Sequence, residues 1–188
     1  MLRLLNRFLI VLVIFLPSLL GLSTSSSADD KSAINNQFHI SISYPDSWAL
    51  IPLGAPNEVF RLWSSHGKGV PGCTVAANDT KIRTNTDKSI VEVYRLMPQV
   101  MEGRLLDGYK DPNVIDRKIT TLSNLEAISI ISSGTYSTLG NAYRIKMWSL
   151  ITQKTGIIYT ITCADSDDHF QVSLPVFRKI LASFLIFP

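Results

Sequence analysis

Hydrophobic and polar residues alternate along most of the chain, and this alternation predicts strands. Residues 38–45 read FHISISYP, which places Phe38, Ile40, Ile42 and Tyr44 on one face. A period of two residues is typical of a half-buried strand. The same pattern predicts strands at 48–53, 58–65, 73–78, 113–122, 125–137, 141–152 and 156–165. Short turns separate most of them, which favours antiparallel pairing, because parallel neighbours need long crossovers.

Two segments carry apolar residues at helical spacing instead. The first begins at Ser89, which has the spacing of a capping box with Glu92, and its apolar stripe includes Tyr94 and Met101. Pro98 conflicts with a helix interior, so the helix either kinks there or a second helix starts there. Strands flanked by such helices predict an α+β fold with a central, mainly antiparallel sheet.

The last helix is predicted from the stripe of Phe177, Ile180, Leu181 and Phe184, which must dock onto the sheet. Ser173 precedes Leu174 and Pro175 and is predicted as the N-cap of this helix, since proline is tolerated in a first turn. Residues 165–172 would then form a loop that leads into the helix.

The N-terminus has the features of a secretory signal. Arg3 and Arg7 precede an apolar run over residues 8–22, and small residues lead to a plausible cleavage site after Ala28. An uncleaved anchor is the alternative, but a membrane span needs about 20 apolar residues. We therefore expect a cleaved signal over 1–28, a flexible leader over 29–36 and a single domain over 37–188. The mature protein would be periplasmic or secreted, without a stable membrane span.

The charge balance argues against nucleic acid as a partner. The chain has a formal net charge of +3, with 18 basic and 15 acidic residues, and the signal accounts for Arg3 and Arg7. Binding to nucleic acid needs clustered lysine and arginine, and here the basic residues are scattered.

Cys73 and Cys163 are the two cysteines of the chain. Both fall on the larger apolar face of their predicted strands, which makes pairing feasible. In an oxidising compartment such a pair predicts one disulfide that closes a long loop. Two buried free thiols, which behave as small hydrophobic groups, are the alternative.

The two ends of the predicted domain carry patterns that resemble those of a known superfamily. Phe38, Ile40, Tyr44, Pro45 and Trp48 form an opening F-x-I-x-x-x-Y-P-x-x-W pattern, and residues 177–184 form a closing F-x-x-I-L-x-S-F pattern. Over residues 37–187 the chain resembles the PsbP-like superfamily, which includes the extrinsic PsbP protein of photosystem II and DcrB-like periplasmic proteins. The resemblance implies an α/β/α sandwich that is usually without catalytic activity. It also implies an adaptor, assembly or accessory role, and some plant and cyanobacterial members bind metal ions.

Residues 162–170, TCADSDDHF, are the most site-like segment. Asp165, Asp167, Asp168 and His169 offer hard oxygens and an imidazole, which predicts a weak divalent cation site as one interpretation. The EF-hand spacing is absent, and aspartates at a strand-to-helix turn also serve to cap free N–H groups. A helix cap or loop is therefore the competing interpretation, and no other cofactor is expected.

A partner-binding surface is also predicted, and its residues show no catalytic arrangement. His66 and Lys68 lie in a glycine-rich loop over 64–72, and Trp148 shares a strand face with Arg144. The chain shows no nucleophile elbow and no P-loop. We expect an exported, non-catalytic binding or accessory protein that uses these residues, with the loops at 107–113 and 165–169, for an unknown protein or small ligand. A metal-binding version of the domain and a secreted hydrolase of unfamiliar design are the alternatives.

Overall fold

The computed structural model describes residues 30–64, 71–79, 89–138 and 141–188. These residues form ten strands and three helices. The strands are β1 (Lys31–Asn35), β2 (Ile40–Tyr44), β3 (Trp48–Leu50), β4 (Glu58–Ser64), β5 (Gly72–Asp79), β6 (Lys110–Leu122), β7 (Leu125–Thr138), β8 (Asn141–Lys154), β9 (Ile157–Ser166) and β10 (Leu185–Ile186). The helices are α1 (Ile90–Leu96), α2 (Pro98–Leu105) and α3 (Phe170–Ala182).

The strands form two antiparallel sheets. The large sheet has seven strands in the order β3-β4-β5-β9-β8-β7-β6, and the small sheet has the order β1-β2-β10. The three long strands β6, β7 and β8 follow one another in the chain and in the sheet, as their short turns predicted. The predicted antiparallel sheet is therefore confirmed.

β9 lies inside the large sheet, and its alternation assigns the two sheet faces. Tyr159, Ile161 and Cys163 belong to the largest hydrophobic cluster on one face. Ile158 and Ala164 pack against the two smaller clusters on the other face. A shift of one residue in the register of β9 would exchange these two sets, so the core fixes the register.

The first face is covered by α3 and by the small sheet. Phe177, Ile180 and Leu181 of α3 are buried in the same cluster as Ile40 and Ile42 of β2. This confirms the predicted docking stripe. The layer on this side is therefore part helix and part sheet, so the α/β/α sandwich is only partly matched.

The second face carries α1 and α2. Ser89 caps α1 with a complete capping box: its hydroxyl accepts from Glu92 N–H, and the Glu92 carboxylate accepts from Ser89 N–H. Pro98 is the first residue of α2, so a second helix starts there rather than a kinked single helix. Burial, together with the hydrogen bond that its hydroxyl donates to Glu102, raises the pKa of Tyr94 to about 12.

Two predictions about segment ends are wrong. The expected leader at 29–36 contains β1, an edge strand on β2 whose Ala33 is buried. Its polar composition reflects an edge strand that buries one side chain. The folded domain therefore begins before residue 37.

The last helix also begins earlier than predicted. α3 starts at Phe170 because the N–H groups of Val172 and Ser173 bond to the His169 carbonyl at 2.9 and 3.2 Å. Ser173 is thus inside the helix and is not its N-cap. The predicted loop at 165–172 is reduced to a short turn after β9.

The predicted signal over 1–28 lies outside the described residues. No helix in the described ranges is long and apolar enough to cross a membrane. Cleavage after Ala28 would leave β1 intact.

Cys73 and Cys163 form a disulfide, which decides between the two interpretations of the cysteines. They lie directly opposite each other on β5 and β9, with their Cα atoms 4.0 Å apart. The bridge spans 90 residues of sequence and joins the first part of the chain to the last large-sheet strand.

Replacing both cysteines with alanine is expected to lower the free energy of unfolding by about 2–4 kcal/mol, because the closed loop restricts the unfolded chain. Alanine adds no polar group to a site where both residues are buried. Urea unfolding followed by circular dichroism measures the change. Wild-type protein unfolded with and without reductant is the control, and an unchanged midpoint in both comparisons would contradict the prediction.

Candidate functional site

An open concavity of about 460 Å³ lies on the second sheet face. Its walls are four aromatic side chains: Trp63 on β4, Tyr109 before β6, Tyr136 on β7 and Tyr143 on β8. Its floor includes Thr74 of β5, Thr162 and Ala164 of β9, and Ile145 of β8. We refer to these eight residues as the aromatic pocket.

Strand register brings the aromatic residues together. Tyr136 and Tyr143 are direct partners across β7 and β8, near the hairpin end. The rings of Tyr109 and Tyr136 are 5.9 Å apart between centroids and tilted by 48°. Trp63 lies on the opposite side of the concavity and is paired with Gly72 across β4 and β5.

Two glycines leave space for the walls of the pocket. A Cβ atom at Gly134 would lie 2.9 Å from the Cβ of Tyr109, and one at Gly72 would lie 3.1 Å from the Trp63 ring. A side chain at Gly134 would therefore clash with the Cβ atom of Tyr109, which does not move when the Tyr109 side chain changes rotamer. The strands carry glycine where an aromatic side chain crosses the backbone closely.

The walls of the pocket are unusually exposed for aromatic residues. Trp63 is 39%, Tyr136 46% and Tyr143 43% exposed. Burial, with a smaller effect from Tyr136, raises the pKa of Tyr109. The Tyr109 side chain therefore stays neutral at physiological pH, and the walls present aromatic faces and hydroxyl groups.

Arg61 lines one side of the pocket and forms an ion pair with Glu58. The Arg61 Nη2 donates to Glu58 Oε1 at 2.5 Å, and the Gly54 N–H donates to Glu58 Oε2 at 2.7 Å. Burial acts to raise the pKa of Glu58, but these two hydrogen bonds hold it below its usual value. The Arg61 Nε is buried without a hydrogen-bond partner in the described residues. A cation paired with the Glu58 carboxylate thus borders a mainly aromatic surface.

The acidic residues at 165–169, predicted from the sequence as a possible site, make three separate sets of contacts. Asp165 is buried and accepts from the Ser173 hydroxyl at 2.6 Å. Asp167 lies 2.7 Å from Lys146 and 3.4 Å from Arg144. Asp168 lies 3.1 Å from the Nδ1 of His169.

These contacts do not favour a metal. Within the described ranges, no group of three or more His, Cys, Asp or Glu side chains is arranged to hold a metal ion. Lys146 and Arg144 hold the pKa of Asp167 below its usual value, and Asp165 links β9 to α3. A weak divalent site at 165–169 stays a prediction, and the geometry agrees better with an anchor for the start of α3.

The predicted partner residues lie in different places. Trp148 is partly buried on the first sheet face, where its Nε1–H donates to the Ser129 hydroxyl at 2.9 Å. Arg144 shares that face but is engaged by Asp167. His66 and Lys68 lie outside the described residues, so their role stays a prediction.

Sequence reasoning did not identify the aromatic pocket as a site. Tyr109 belongs to the predicted loop at 107–113, but no pattern in that loop predicts that its side chain lines a pocket. The available signal was the placement of Tyr136 and Tyr143 at both ends of the same turn, since residues that flank a hairpin turn face each other.

Comparison with known proteins identifies the fold. No protein-family model matches the chain, and no curated protein matches it. Among solved structures, the chain is similar to cyanobacterial PsbP (CyanoP) from Synechocystis sp. PCC 6803, with a TM-score of 0.61 and 13% identity over 87% of this chain and 96% of that chain.

Two further structures have the same fold. LpqN of Mycobacterium tuberculosis, described as involved in cell envelope biogenesis, gives a TM-score of 0.53 and 14% identity over 85% of this chain and 91% of LpqN. The Ran-binding protein Mog1p of Saccharomyces cerevisiae gives 0.54 and 10% over 85% of this chain and 96% of Mog1p. The chain therefore has the PsbP-like fold, as the resemblance implied.

Gly134→Ala is expected to displace Tyr109 and lower its pKa towards the ordinary tyrosine value, because burial is the main cause of the raised value. Ultraviolet absorbance titration measures this, with Tyr109→Phe to assign the transition. Gly103→Ala is the matched control: nothing lies within 4 Å of the added methyl group, so it should leave Tyr109 unchanged. Equal titration curves for the two alanine variants would contradict the assigned role of Gly134.

Proposed function

We propose that this protein is a non-catalytic binding or accessory protein that receives a segment of a partner protein in the aromatic pocket. The observation that carries the proposal is the exposure of Trp63, Tyr136 and Tyr143 in one concavity. Water contact with large aromatic side chains is unfavourable, so a cluster of them on one surface indicates an interaction site.

The composition of the pocket favours a protein segment as the occupant. Trp, Tyr and Arg are the residues most enriched at the centres of protein interfaces, and the pocket combines four such aromatic residues with Arg61 at its border. Tyrosine hydroxyls can also bond to the backbone of a bound segment while the rings contact its side chains.

The shape of the pocket supports the same choice. Sites for drug-sized molecules bury about 70–90% of the ligand. Here the walls are open enough to leave about two fifths of Trp63 and Tyr143 in solvent, so a small molecule would stay largely uncovered. A protein segment could extend beyond the rim and cover these walls.

Structures with the same fold support a binding role without naming a partner. One of them is a Ran-binding protein and another is involved in cell envelope biogenesis. Identity of 10–14% carries no partner across to this chain. No observation within the described ranges favours the hydrolase alternative.

Trp63→Ala and Tyr143→Ala are each expected to weaken partner binding by about 30-fold, which corresponds to about 2 kcal/mol for a central interface residue. The partner is first identified by photo-crosslinking from position 143 in the native source, with position 172 as the control site. Binding constants of the purified pair are then measured by calorimetry.

Val172→Ala is the matched control for this experiment, because Val172 is 76% exposed on α3, away from the pocket. It should leave binding unchanged. A partner that crosslinks equally from both positions, or binds Trp63→Ala as tightly as wild type, would overturn the proposal.

We also propose that the mature protein works in the periplasm or outside the cell. The buried Cys73–Cys163 bridge supports this, because disulfides form and persist in oxidising compartments. The signal-like segment over 1–28 supports it independently.

Protein purified from its native source is expected to have an intact mass that starts at Asp29 and lacks the two thiol hydrogens. Mass spectrometry before and after reduction measures both properties. A full-length mass would contradict cleavage, and a mass unchanged by reduction would contradict the bridge. Purification without chelator also tests the alternative metal site at 165–169, because a bound divalent ion would add to the native mass.

A further inference from the structure

A second, smaller cavity lies on the first sheet face, opposite the aromatic pocket. It has a volume of about 250 Å³ between the C-terminal half of α3 and strands β6 to β8. Its lining includes Lys118, Thr120, Ser129, Trp148, Leu150 and Arg178. We refer to these six residues as the cationic groove.

Strand register builds the floor of the groove. Lys118 of β6 pairs with Ser129 of β7, and Ser129 pairs with Leu150 of β8, so the three side chains form one row. Trp148 is two residues from Leu150 on the same strand face, and its Nε1–H donates to the Ser129 hydroxyl at 2.9 Å. The indole ring is therefore held in one orientation beside the row.

Two cations border the groove without a matching carboxylate. Among the described residues, Lys118 and Arg178 have no ion-pair partner. Arg95 and Lys146, by contrast, pair with Glu126 and Asp167. Arg178 approaches from α3 and Lys118 from β6, so their charges flank the cavity from two sides.

We propose that the cationic groove binds a small organic carboxylate with a flat apolar body. The carboxylate lies between Lys118 and Arg178, since arginine can donate two parallel hydrogen bonds to it. The apolar body contacts Trp148 and Leu150. The volume admits only a small ligand, because pockets for drug-sized molecules are about 300–1,000 Å³.

Benzoate is a suitable probe, and Trp148 reports its binding directly. Titration of the isotopically labelled protein with benzoate is expected to shift the indole N–H resonance of Trp148, which Trp148→Phe assigns by its loss. The resonances of Trp48 and Trp63 should not move, because Trp48 is buried in the core and Trp63 lies on the other sheet face.

The charge and the ring are tested separately. Benzamide keeps the flat body without the charge, and acetate keeps the charge without the ring. Both should bind at least about tenfold more weakly than benzoate, given the strength of hydrogen bonds to charged groups and of apolar burial. Benzamide or acetate that binds as tightly as benzoate would overturn the proposal.

The double variant Lys118→Gln/Arg178→Gln should lose benzoate binding by at least about tenfold. Both residues are exposed, so the fold should survive the change. Lys179→Gln is the matched control, since it removes a positive charge from the next residue of α3, which does not line the groove. Equal affinity of the double variant and the control, or no shift of the Trp148 resonance with benzoate, would refute the groove as an anion site.

Discussion

The register of β9 between β5 and β8 is the constraint on which the rest of the structure depends. It sends Tyr159, Ile161 and Cys163 to the face covered by α3, and Ile158 and Ala164 to the face covered by α1 and α2. A slip of one residue would exchange the two sets between the faces, so neither set would meet the side chains that it packs against. The bridge to Cys73 ties the same register covalently, at a position where β5 and β9 are directly opposed.

Both candidate sites follow from the way the helices cover this sheet. α1 and α2 pack over β7 and β8, so the adjacent part of the second face holds the aromatic pocket, with Trp63 on its far side. α3 packs over β8 and β9 on the first face, and the space between it and β6 is the cationic groove. A sheet wider than its helices leaves concave margins, and in this protein those margins carry aromatic and cationic side chains.

The two sites differ in chemistry because the cation beside the aromatic pocket has a carboxylate partner, whereas those beside the cationic groove have none among the described residues. Arg61 is paired with Glu58 at the rim of the aromatic pocket, so that surface presents mainly aromatic rings and hydroxyl groups. Lys118 and Arg178 keep their charge available across the cationic groove. In the acidic segment at 165–169, Asp167 forms ion pairs with Lys146 and Arg144, and Asp165 links β9 to α3. Two surfaces on opposite faces would allow the protein to bind a small ligand and a partner at the same time.

The sequence by itself determined strands β2 to β9, the capping box at Ser89 and the apolar stripe of α3, because each depends on the period of neighbouring residues. It also placed both cysteines on the larger apolar face of their strands. Only the tertiary structure decided that β1 is a strand, since a single buried residue, Ala33, leaves almost no periodic signal. The aromatic pocket likewise joins Trp63, Tyr109 and Tyr143 from three distant segments, and no local pattern encodes that distance. The acids at 165–169 looked like a site because they are adjacent in sequence, whereas the fold turns them towards different partners.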